Sequence, residues 1–116
     1  MELLATRLAM PSIAEREKRV GLQLQVEVSG QDAKGSPFAE SSTSVNISGG
    51  GICFASHENV LVGQRLTLHI QLPENLRKHF GGRPVYRARA VVCRVERFEG
   101  SPHSRIGCRF LGEVEA

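Results

Sequence analysis

Tryptophan is absent, tyrosine occurs once, and aromatic residues make up only 5% of the 116 residues. General single-stranded nucleic-acid binders stack bases on exposed aromatics over a broad basic face. Here several of the five phenylalanines fall at core-like positions, so an OB-like nucleic-acid barrel is disfavoured and no DNA or RNA partner is expected. No apolar run approaches the length of a membrane-spanning helix, so no membrane insertion is expected. Glu2 and Arg7 interrupt Leu3, Leu4 and Leu8, which breaks a signal-peptide pattern and leads to the expectation of a cytoplasmic protein. Cys53, Cys93 and Cys108 are odd in number and lack C-x-x-C spacing, which suits reduced thiols in a core rather than a disulfide.

The chemistry of catalysis is equally sparse. His57, His69, His79 and His103 are scattered, with no cysteine at metal-ligand spacing, so neither a metal nor a cofactor is expected. The glycine run at 49–51 opens no helix and is not followed by Lys and Ser or Thr, which excludes a P-loop and a dinucleotide fingerprint. A G-x-S-x-G elbow is missing as well. The chain is not expected to be an enzyme.

What is there reads as one all-β domain. The length suits a single core. Residues 1–18 form an N-terminal arm stopped by Pro11, with one possible helical turn over 13–18 behind Ser12 and Glu15. The net charge of +3 conceals a cluster of Arg16, Lys18 and Arg19 at the end of that arm. From residue 20 the period becomes two: Leu22, Leu24, Val26 and Val28 alternate with Gln23, Gln25 and Glu27. A turn-rich connection over 29–37 leads into a Ser- and Thr-rich strand over 38–47, and a short strand resumes at 52–55. Leu66, Leu68, Ile70 and Leu72 point inward from the next strand, which Pro73 closes before a polar connection at 74–83 with a helical turn.

A long strand over 85–97 sets Val91, Cys93 and Val95 against Ala88, Ala90 and Val92, which predicts burial on both faces. The last strand, 104–111, turns Ile106, Cys108 and Phe110 inward. Six short strands without strand-helix alternation predict an antiparallel sheet closed into a barrel over 19–112, with a short tail at 113–116.

Asn46-Ile47-Ser48-Gly49-Gly50-Gly51 stands out within this pattern. In an extended chain, the Asn46 amide and the Ser48 hydroxyl share one side and can both meet a ligand edge. Gly49 and Gly50 would supply positive φ for the turn, and Gly51 would let a ligand approach the backbone. On these six residues alone, a glycine-rich turn and a ligand site both remain open.

The basic cluster before the first strand and Asn46-x-Ser48-x-x-Gly51 at the second strand junction together resemble the PilZ domain family. So do Arg19-Val20-x-Leu22, Val62-Gly63 and Ile106-Gly107-Cys108-Arg109-Phe110-Leu111, a likeness that extends over about residues 15–112. The resemblance implies a six-stranded antiparallel barrel with a flexible N-terminal arm that binds the bacterial second messenger cyclic di-GMP. Its implied ligand residues are Arg16, Lys18, Arg19, Asn46, Ser48, Gly50 and Gly51. It further implies arginines on the phosphates and guanine faces, the Asn-Ser-Gly stretch on guanine edges, and a protein effector that reads the ordered arm. The family's first motif is Arg-x-x-x-Arg; with Arg19 as its second arginine, Glu15 stands at the first position and Arg16 is displaced by one. A barrel that no longer binds nucleotide and serves as a protein-interaction adaptor is the alternative expectation.

Overall fold

The computed structural model describes residues 21–114. Its strands are β1 (Gln25–Gln31), β2 (Pro37–Ile47), β3 (Gly51–Ser56), β4 (Arg65–Gln71), β5 (Val85–Arg97) and β6 (Ser104–Glu113). All pair antiparallel in a closed barrel of order β1-β2-β3-β6-β5-β4, with β4 returning to β1. Closure removes the free sheet edges that an open sheet of this size would expose. The expected six-stranded barrel is therefore the architecture. No helix among the described residues is long and apolar enough to cross a membrane. The expected arm and its possible helical turn lie outside the described residues.

Alternation sends Val26 and Val28, Leu66, Leu68 and Ile70, Ile52 and Phe54, and Ala88, Ala90 and Val92 into one core. Between β4 and β5, a single turn α1 (Glu74–Arg77) runs into a 3₁₀ turn at Lys78–Phe80. Arg77 holds this connection by donating from Nε to the Leu72 carbonyl. Phe80 thereby reaches the core and starts a chain of ring contacts through Tyr86 to Phe110, with centroids 4.9 and 5.4 Å apart.

Three irregularities interrupt the alternation. The register slips between Ser44 and Asn46 in β2, between Val92 and Arg94 in β5, and between Phe110 and Gly112 in β6. Each slip inserts one residue into one strand, so the side chains beyond it change face. This corrects the expected two-faced burial of β5. Ala88, Ala90 and Val92 are buried, but Cys93 is the inserted residue and is exposed, Arg94 turns outward, and Val95 packs against the core. The last strand also continues to Glu113, one residue into the expected tail, and Glu113 pairs with Arg83.

β1 begins at Gln25 rather than near residue 20, although Leu24 is buried and Leu22 packs against the core as the period implied. The segment before it is fastened by Ser44. The buried Ser44 hydroxyl accepts from the Leu24 N–H at 2.8 Å and donates to the Leu22 carbonyl at 2.5 Å, while the Ser44 N–H donates to the Leu24 carbonyl.

Candidate functional site

The turn between β2 and β3 is held from within and from β6. Ser48 lies just past the end of β2, is 4% exposed, and donates its N–H to the Gly51 carbonyl at 2.9 Å. Its Oγ accepts from the Gly50 N–H at 3.2 Å, and the Gly50 carbonyl accepts from Phe110 of β6 at 2.9 Å. A serine at this place therefore shapes the loop that carries Gly50. Asn46 is half-buried and, unlike its neighbour Ile47, points away from the core.

Positive φ among the described residues is found at Gly35, Gly63, Gly81, Gly82 and Gly100. Gly51 is buried, and a Cβ on it would stand 2.3 Å from the Cys108 carbonyl oxygen. The missing side chain lets β3 and β6 approach each other.

The strand register sets Asn46 of β2 beside Cys53 of β3, Cys53 beside Gly107 of β6, and Gly107 beside Arg94 of β5. These residues form one row across the outer wall. Gly107 has no side chain there, and the Arg94 side chain lies across it, with Cβ, Nη2 and Nε within 3.7 Å of where a Gly107 Cβ would be. Burial raises the Cys53 pKa, and the nearby Arg94 guanidinium opposes the rise.

Around this row opens a pocket of about 280 Å³, lined by Gly50, Cys53, Cys93, Arg94, Gly107 and Arg109 among others. Arg109 stands opposite Gly51 on the next row. The ion pairs among the described residues, His57 with Glu40 and Arg83 with Glu113, leave both Arg94 and Arg109 without a carboxylate. The pocket adjoins the Asn46–Gly51 turn and carries positive charge on its walls.

The three thiols do not share one environment. Cys53 and Cys108 are buried, whereas the expectation of a core position fails for Cys93 because the bulge in β5 carries it outside. Burial pushes the Cys108 thiol up to about 12. His57 and His103, distant in sequence, meet with ring centroids 4.0 Å apart. No group of three or more His, Cys, Asp or Glu side chains among the described residues is arranged to hold a metal ion.

Of the sequence-predicted site residues, Asn46, Ser48, Gly50 and Gly51 come together at this turn. Arg16, Lys18 and Arg19 lie outside the described residues. Ser44 fixes Leu22 and Leu24 against β2 close to Asn46. Sequence reasoning missed Arg94, Arg109 and Ser44. The first has the parity of a core residue until the bulge is known, and the last is one of several serines in β2.

The PilZ domain model matches residues 14–115. No curated protein matches the sequence. Solved structures are similar in fold. Bacillus subtilis inhibitor of motility, MotI/DgrA, has a TM-score of 0.60 at 22% identity, covering 83% of this chain and 41% of that one. The PilZ domain of YcgR from Escherichia coli, solved with c-di-GMP, has a TM-score of 0.54 at 15% identity, covering 84% and 77%. MrkH of K. pneumonia in its apo state has a TM-score of 0.56 at 16% identity, covering 93% and 46%. The chain therefore spans less than half the length of MotI/DgrA and of MrkH.

Proposed function

The chain belongs to the PilZ domain family, and from that premise we propose that it is a receptor module that binds cyclic di-GMP on the outer wall formed by the β2–β3 turn, β3, β5 and β6. PilZ domains are ligand-binding receptor domains, and the YcgR domain similar to this one was solved with that ligand. The observation that carries the reading is a pocket bordered by Gly50 of the Asn46–Gly51 turn, with guanidinium groups on its walls. Guanidinium offers a planar fork to phosphate and a flat cation to a purine face. The Asn46 amide supplies a donor and an acceptor for a guanine edge.

Arg16, Lys18 and Arg19 complete the site from the arm, which closes over the nucleotide and becomes ordered. An order change of this kind gives a domain without catalytic groups something to transmit, because an effector protein can recognise the newly fixed surface. The test is calorimetric titration of the full chain with cyclic di-GMP, cyclic di-AMP and GTP. Saturable binding to the first alone is the expected result. Binding to none of the three would leave the protein-interaction adaptor.

A further inference from the structure

We infer that Arg94 and Arg109 form a second guanidinium pair, which grips the anionic part of a purine nucleotide from the barrel wall and stands in for the arginine that the arm lacks at Glu15. The inference rests on the cyclic di-GMP reading of the same site.

Three observations converge on Arg94. The first is the bulge at Cys93. Without it, Arg94 would share the inward face of Ala88, Ala90 and Val92, where an unpaired charge is untenable. With it, the side chain is re-aimed onto the outer wall, a use that bulges serve beside functional sites. The second is the bed beneath it: Gly107 has no side chain, and the Arg94 side chain lies across it, with Nη2 and Nε 3.6 and 3.7 Å from where a Cβ there would stand. A long, flexible side chain that lies along the wall before any ligand arrives lowers the ordering cost of binding. The third is that this guanidinium, exposed and without a carboxylate partner among the described residues, borders the same pocket as Gly50 and Arg109.

The charge around the pocket has one sign in excess. Arg105 stands on the row beyond Arg94, paired in register with Glu96, and lies over the Phe98 ring at 5.3 Å. Glu96 is the acidic group close enough to act on Cys53, against Arg94 and Arg105. A pocket of about 280 Å³ with such walls suits one purine nucleotide half with its phosphate.

The experiment is titration of cyclic di-GMP into the full chain at two salt concentrations, for wild type and for Arg94→Gln, Arg109→Gln, Arg94→Lys, Gly107→Val and Lys34→Gln. Loss of either arginine is expected to weaken binding about ten- to a hundredfold and to reduce the salt dependence. Arg94→Lys should not restore affinity, because an ammonium lacks the planar fork. Gly107→Val keeps both arginines but fills the bed of Arg94, and should weaken binding in a barrel whose circular dichroism is unchanged. Lys34→Gln removes an exposed charge in the β1–β2 turn and should bind as wild type.

Wild-type affinity in both glutamine variants would overturn the inference while leaving the ligand reading intact. If wild type binds GTP or cyclic di-AMP instead, and Arg94→Gln loses that binding, the ligand reading fails and the clamp stands. A wild type that binds none of the three nucleotides overturns both.

Discussion

Ser44 and Leu22 are joined by a hydrogen bond from the serine hydroxyl to the leucine carbonyl, and that same hydroxyl accepts the N–H of Leu24. One side chain in β2 thus fastens the chain before β1 to the strand that carries Asn46. Ser44→Ala leaves a buried backbone N–H unmade, a loss of roughly 1–3 kcal/mol. The expected result is a lower urea midpoint and faster amide exchange at Leu24. Unchanged exchange there would contradict the fastening role.

Gly51→Ala and Asn46→Ala should separate structure from recognition. An added Cβ at position 51 collides with the Cys108 carbonyl, and overpacking of this kind costs typically about 1–3 kcal/mol. Asn46→Ala changes no core residue, so it should melt nearly as wild type while weakening cyclic di-GMP about five- to thirtyfold, the effect of roughly 1–2 kcal/mol. Thermal melts paired with titrations check both. A Gly51→Ala protein of wild-type stability would contradict the close strand approach.

Alkaline instability follows from the buried thiol. The Cys108 pKa is raised to about 12 from an ordinary 9.0, so between these values the unfolded chain loses a proton that the folded chain keeps. This stabilisation is fully present below pH 9.0 and is lost as pH rises toward about 12. Burial raises Cys53 and Tyr86 in the same direction. Urea midpoints of wild type should fall through this window, and those of Cys108→Ala should fall less steeply. Equal slopes would count against it. In the same folded protein, a thiol reagent should modify Cys93 first, since the other two thiols are buried.

Glu15 stands where the family pattern has an arginine, and as a hypothesis it brings a carboxylate toward the ligand phosphates. Glu15→Arg should tighten cyclic di-GMP by about ten- to a hundredfold, since a charge-assisted hydrogen bond contributes roughly 1.5–3 kcal/mol. Glu15→Gln should give a smaller part of that gain by removing repulsion alone. Dissociation constants at one salt concentration decide it. Tight binding in wild type, unchanged in both variants, would mean that the Glu15 carboxylate does not face the phosphates.

Period-two alternation made the barrel legible, because Leu66 to Ile70 and Ile106 to Cys108 have one wet and one dry face and nothing else fits such a pattern. The Asn46-x-Ser48 spacing marked the turn. The bulges were not legible, since an inserted residue is defined by its partner strand and not by its own identity. That is why Cys93 was expected inside and Arg94 went unnoticed. The close approach of the Cys108 carbonyl to Gly51 was hidden for a related reason, since it depends on the register of β3 against β6.

The most direct measurement is an NMR titration of the isotope-labelled chain with cyclic di-GMP, read at the backbone amides and the arginine Nε–H groups. The account predicts saturable shifts at Asn46, Gly50, Gly107 and Arg109 and at the Arg94 Nε–H, with little change at His57 and His103. Shifts centred on His57 and His103, or none at saturating nucleotide, would contradict it.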